Sequence, residues 1–371
     1  MRRVAGRITP PRMNTSPCLS TVRPPLALAA EDERISSLDP LHADAHLCRL
    51  PHMNAAKDTV GLALLLADLL PSMDSALAFD THQACAVMRD LGFLLGSLKR
   101  HGVEPVEVIP QLEEKTNLLG WRSSLPPRDT LLHYTVWNPT GHRRRTYTGT
   151  KDETNLIDSV VLAMHPLTQA ILLLENLHRT PFQHPSFAEV CRQVQTHFEK
   201  VIEGVVLARR SVSPAYFANE LRFYFDPITL NGRQYLGPGA VEMPMFVFDH
   251  LLWGSDCADV HYTEFKGTYV PYIHPVMRAV YAAFPAGTPS LVTKICGAAA
   301  HGTDVQPAIK ALKECMRQLK SFRMPHKKLA EEAYAHSGAE NRTHGSGGYS
   351  TDILSHILHL MNKQAETLNA F

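Results

Sequence analysis

The stretch Leu156 to Leu177 (LIDSVVLAMHPLTQAILLLENL) is the longest apolar segment of the chain, and its apolar residues recur at three- and four-residue spacing. That period suits a helix and defeats a strand, where alternate residues would have to change face. Pro166 lacks an N–H, so a kink or a break is expected there. Thr59 to Leu70 reads as a second apolar helix, stopped by Pro71. Thr81 to Arg100 is a third, with basic residues in its last turn and Gly102 just beyond it. Pro185 to Arg209 is a fourth, charged along one side. β signals are sparse, with neither sustained period-two alternation nor a hairpin turn of the Asn-Gly kind standing out. The chain is expected to be all-α.

At 371 residues, 44% hydrophobic and 20% charged, the chain is ordinary for a globular protein of one large domain or two smaller ones. A net charge of +1 gives no global field favouring nucleic acid or an anionic membrane. The seven cysteines (18, 48, 85, 191, 257, 296, 315) are scattered without a CxxC pair. They read as reduced thiols of a cytoplasmic protein, with no disulfide framework or zinc site. No apolar run is expected to reach the ~20 residues that span a bilayer. Residues 1–37 are expected to be a disordered extension. A domain boundary is placed near Leu125, dividing a small helical domain, 38–124, from a large one, 125–371.

Three stretches carry candidate chemistry. In the C-terminal one, Ile309, Leu312, Met316 and Leu319 keep a helical period that places His326 on the same stripe, followed by Ala330 and Ala333. Arg323 lies one turn before His326, and Pro325 is expected to kink this helix or to start a new one. A neutral imidazole there could ligate an iron porphyrin while the guanidinium meets a propionate; a core histidine bonded to a carbonyl would show the same spacing. A second stretch, Ser213 to Asp226, opens with a serine cap and presents aromatic residues around Arg222. That face could hold an aromatic acid, or be aromatic core with a snorkelling arginine. The third, Tyr235 to Ser255, has a Gly237-Pro238-Gly239 turn before a helix expected from about Val241 to Trp253.

Taken together, several segments closely resemble the monodechloroaminopyrrolnitrin synthase family of pyrrolnitrin biosynthesis. They are AVMRDLGFLLGSLKRHG from Ala86 to Gly102, LPPR from Leu125 to Arg128, TVWNPT from Thr135 to Thr140, YLGPGAVEMP from Tyr235 to Pro244, PHKKLAE from Pro325 to Glu331, and GSGGY from Gly345 to Tyr349. The resemblance runs from about residue 38 to the C-terminus. More distantly the chain is similar to the indoleamine and tryptophan dioxygenases.

The resemblance implies a two-domain helical haem protein, like indoleamine 2,3-dioxygenase, acting on 7-chlorotryptophan or tryptophan. It implies haem b (iron protoporphyrin IX), with His326 as the iron ligand and Arg323 on a propionate. Gly237, Gly239, Ala240 and Gly347 would border the haem. Arg222 would hold the amino-acid carboxylate beside Tyr216 and Phe223, and Tyr334 and Ser346 would lie near the reacting substrate. His133, His165 and His250 are better read as structural than as a distal histidine. The implied reaction opens the indole, recyclises the side chain and releases carbon dioxide, giving an aminophenylpyrrole. Atom counting shows that it also removes two hydrogens, so oxygen or peroxide and an electron donor are implied partners. A dioxygenase yielding N-formylkynurenine, or a non-catalytic haem or tryptophan binder, are the alternatives.

Overall fold

The computed structural model describes residues 25–336 and 352–371. Helices account for most of these residues, as expected of an all-α chain. The buried apolar side chains form one continuous core from Ile35 to Leu368, running through positions 124–125.

The helix Thr81–Arg100 is the axis of the N-terminal half. Asp80 and Gln83 start it with a capping box, each side chain accepting the other's backbone N–H at 2.8 and 2.9 Å. Every residue from Ala84 to Leu98 is buried, including the charged pair Arg89 and Asp90. Those charges persist in the core because they are fully bonded. Arg89 donates to Asp90 and to the carbonyls of Ile35, Trp137 and Leu38, while Arg145 donates to Asp90 at 2.9 Å.

Two long antiparallel helices, Lys151–Leu177 and Pro185–Ser211, form the centre of the C-terminal half. Gly204 sets their closest approach: a Cβ there would lie 2.7 Å from the Ser159 carbonyl and 2.9 Å from Ala163 Cβ. The helix Gln306–Ala335 packs against Pro185–Ser211, and the final helix Asp352–Asn369 packs on Gln306–Ala335 in turn.

Several expectations are corrected. Pro166 does not break its helix, and Pro325 neither ends nor restarts Gln306–Ala335. Long neighbouring helices hold the flanking turns, so the hydrogen bond each proline removes is a local loss. The expected helix from Val241 is instead a 3-10 turn at Ala240–Glu242, a short α-helix at Met245–Asp249 and a π turn at His250–Gly254. Residues 25–37, expected within a disordered extension, form the helix Pro25–Ser37, which buries Leu28, Asp32 and Ile35. Trp137 holds it by donating its indole N–H to Asp32 at 2.5 Å. Residues 1–24 lie outside the described residues.

A hairpin also interrupts the helical pattern. Strands Ile228–Leu230 and Arg233–Tyr235 pair antiparallel across Asn231 (φ 50°) and Gly232 (φ 69°). Two consecutive left-handed residues define the tight turn that Asn-Gly favours, so the sequence does carry a hairpin signal. Finally, Lys151–Leu177 is long and apolar enough to cross a membrane, contrary to expectation. Its buried residues, from Glu153 to Leu177, pack it into the core instead.

Candidate active site: an apolar cavity beside His326

A cavity of about 300 Å³ lies between the long C-terminal helices, within the size range of small-molecule sites. Val160 and Ala163 line it from one helix, Val201, Gly204 and Val205 from its partner. Phe322, Arg323, His326, Ala330 and Tyr334 come from Gln306–Ala335 at three- and four-residue spacing, so one face of that helix forms a wall. Ile357, of the last helix, also contributes.

His326 retains accessible surface although protein surrounds it, because that surface faces the cavity. Burial, helped by the adjacent Arg323 charge, lowers its pKa from 6.5 to about 4, so the ring is neutral at pH 7. Phe322 stacks on it at 5.5 Å between centroids and 17° between planes. Among the described residues no hydrogen bond engages either ring nitrogen.

Arg323 is buried and donates to the Asp249 carboxylate. Asp249 also accepts from Trp253 Nε1 at 3.2 Å and from the Tyr262 hydroxyl at 3.1 Å. Burial raises the Asp249 pKa, with the Arg323 charge opposing. Arg323 Nε is buried without a partner among the described residues. Asp249 was not anticipated, although a lone acid inside the apolar run Met245 to Trp253 is a readable signal.

The arginine of the second candidate stretch reaches the cavity, but its aromatic neighbours divide differently. Arg222 is buried in the lining, with its guanidinium over the Tyr334 ring at 5.5 Å. Burial pushes the Tyr334 phenol up. Tyr216 and Phe223 are not in the lining. Tyr216 bonds the Thr148 and Thr150 hydroxyls at 2.5 and 2.8 Å, and Phe223 lies under Arg100 at 4.8 Å. Phe217 and Phe225 face the cavity in their place. The cause is a change of helix type: Ser213 caps Pro214–Asn219, and the chain then tightens into a 3-10 turn, Leu221–Phe225. That change shifts the residues which share a face.

Gly239 and Ala240 line the cavity, whereas Gly237 does not. A Cβ at Gly237 would stand 2.4 Å from the Phe225 carbonyl and 2.8 Å from Arg128 Nη2, so this glycine serves close backbone packing. Ser346 and Gly347 lie outside the described residues. Of the three histidines read as structural, His133 accepts the Thr130 N–H at 3.0 Å and His250 bonds the Phe284 carbonyl at 2.6 Å. Burial lowers the His165 pKa, and its Nδ1 lies 3.7 Å from Asp32.

The donor set suits a haem. It offers a neutral imidazole with no competing hydrogen bond among the described residues, apolar walls, and a buried guanidinium whose Nε–H has no partner among those residues.

Fold and site together define an all-α protein with a mainly apolar cavity, polarised at Arg222 and at His326–Arg323. The sequence model described as "Monodechloroaminopyrrolnitrin synthase PrnB" matches residues 54–369. The chain belongs to that family, and is therefore an enzyme of pyrrolnitrin biosynthesis that acts on a small molecule.

Proposed function

We propose that the enzyme carries out a haem-dependent oxidative rearrangement and decarboxylation of 7-chlorotryptophan, or of tryptophan, to an aminophenylpyrrole. The observation that carries this reading is His326, a neutral imidazole with no hydrogen-bond partner among the described residues, facing an apolar cavity. His326 would ligate the iron of haem b, and Arg323, through its unspent Nε–H, would meet a propionate. A haem bound there would supply the redox chemistry with oxygen or peroxide, served by an external electron donor.

The chain's own residues orient and shield the substrate. Arg222 would bind the amino-acid carboxylate, and Phe217 and Phe225 would hold the flat indole. Tyr334, whose ring lies under Arg222, would border the reacting side chain, with Ser346 as its partner in chemistry. The apolar walls exclude water, which strengthens every charge interaction at the substrate. Free thiols at Cys85, Cys191, Cys296 and Cys315 favour a cytoplasmic location.

The test is to incubate the haem-loaded protein with 7-chlorotryptophan, a reductant and oxygen, and to weigh the product. Loss of carbon dioxide and two hydrogens supports the proposal. Gain of two oxygen atoms makes the enzyme a dioxygenase, and an unchanged substrate makes it a binding protein.

A further inference from the structure

We propose that Tyr134 is a redox-active residue of the cavity, giving one electron to an oxidised centre held at His326 while its phenol proton passes to Glu153. This rests on the haem reading above.

Tyr134 lines the cavity with its ring and turns its hydroxyl away, donating to Glu153 Oε1 at 3.3 Å. Glu153 is fully buried at the start of helix Lys151–Leu177. Its Oε1 also accepts the Tyr147 N–H at 2.7 Å, and Oε2 accepts both the N–H and the hydroxyl of Thr148 at 2.7 Å. All these partners can donate, so the carboxyl is held as an acceptor in its ionised form. Burial outweighs the pull of those donors and raises its proton affinity. A tyrosine loses an electron most easily when its proton has somewhere to go, and here the acceptor is already hydrogen-bonded.

A haem held by His326 would supply the oxidising power, with hydrogen peroxide as the two-electron oxidant and water as its reduced product. Tyr134 returns one electron, its O–H bond breaks, and the proton forms an O–H bond on Glu153. The products are a neutral tyrosyl radical and a neutral carboxylic acid, so no net charge is created in the core.

The surroundings keep the radical on Tyr134. Tyr147 stacks 5.9 Å away and Tyr224 lies 4.4 Å beyond it, forming a buried aromatic column. The Tyr147 hydroxyl, however, is buried with no hydrogen-bond partner among the described residues. Its oxidation would strand either a proton or a positive charge in apolar surroundings, which is unfavourable. The column is therefore closed at its second ring.

The experiment is to mix the haem-loaded protein with hydrogen peroxide in the absence of indole, freeze it, and record the electron paramagnetic resonance spectrum. A tyrosyl signal is expected, narrowed when ring-deuterated tyrosine is incorporated. It should vanish in Tyr134→Phe and persist in Tyr147→Phe and Tyr334→Phe. Glu153→Gln should weaken it, because the proton then has no acceptor. Circular dichroism and the Soret band show that each variant is folded and loaded. A signal that survives Tyr134→Phe, or a fully loaded wild type with no tyrosyl signal, overturns the inference and leaves the haem reading standing. A protein that takes up no haem overturns both.

Discussion

The Arg323 guanidinium is bonded to the Asp249 carboxylate in the cavity wall, one helical turn before His326, and both side chains are buried. Neither charge has another of opposite sign hydrogen-bonded to it among the described contacts, so each depends on the other. Asp249→Ala should therefore cost about 3–5 kcal/mol in unfolding by urea, the usual penalty for stranding one partner of a buried pair. Asp249→Asn should cost less, because the amide oxygen still accepts. Equal losses in the two variants would mean that the lost charge, and not the lost hydrogen-bond acceptor, accounts for the whole cost.

Removal of the His326 ring should separate cofactor from fold. His326→Ala deletes an imidazole that lines the cavity and makes no hydrogen bond among the described residues, so far-ultraviolet circular dichroism should be preserved. Haem should no longer be retained through gel filtration, and the Soret band of the wild type should be absent. A variant that keeps a normal Soret band removes His326 from the metal.

Stability should fall between pH 6.5 and pH 4. Burial lowers the histidine pKa to about 4 at His326, His178 and His250, and to about 3 at His133, from 6.5 in the unfolded chain. The unfolded state therefore binds more protons in that window, and each such group contributes stability above pH 6.5 that is lost on acidification. For a deeply buried histidine the slope approaches about 1.4 kcal/mol per pH unit. Asp32 has the opposite sign: burial raises its pKa from 3.8 to about 7, so its contribution is present in acid and lost as pH rises. Asp32→Asn should accordingly be more favourable relative to wild type at pH 8 than at pH 4, as read from urea midpoints. A difference that does not vary with pH removes Asp32 from the linkage.

Gly237 tests what a glycine is for. With the Phe225 carbonyl 2.4 Å and Arg128 Nη2 2.8 Å from where a Cβ would stand, Gly237→Ala must push the turn away from backbone as well as side chain. Overpacking of this kind costs about 1–3 kcal/mol. The loss should appear as a lower midpoint of urea unfolding, in the cofactor-free protein as well as with haem bound. A variant as stable as wild type would return Gly237 to the lining of the ligand.

Much of this arrangement is legible in residue spacing. The stripe from Ile309 to Leu319 projects forward to His326, and Arg323 follows from helical geometry alone. Arg222 is legible as the one cation in an aromatic stretch. What spacing does not reveal is where a helix changes type. Tyr216 and Phe223 were expected beside the substrate as aromatic neighbours of Arg222, and the structure gives the cavity wall to Phe217 and Phe225, the latter within the 3-10 turn Leu221–Phe225. Asp249 escapes for a related reason: the chain around it divides into a 3-10 turn, an α turn and a π turn, each with its own period. At the prolines, where a kink or a break was expected, the helices run on without a break. Each proline's local penalty is real, but tertiary packing along the two long helices outweighs it.

Arg222 gives the sharpest test of what the cavity binds. A buried guanidinium bonding a carboxylate contributes about 1.5–3 kcal/mol, a hydrogen bond to a charged partner being stronger than a neutral one. The same group contributes nothing to an indole that carries an amine but no acid. Wild type should therefore bind tryptophan more tightly than tryptamine, by about tenfold or more on that energy scale. In Arg222→Leu the preference should collapse, through weaker binding of tryptophan with tryptamine little changed, as measured by calorimetry on the haem-loaded protein. Loss of the cation from above Tyr334 is common to both ligands, so it cancels in the ratio. A ratio unaltered by the substitution would move the carboxylate to Arg323 or out of the cavity altogether.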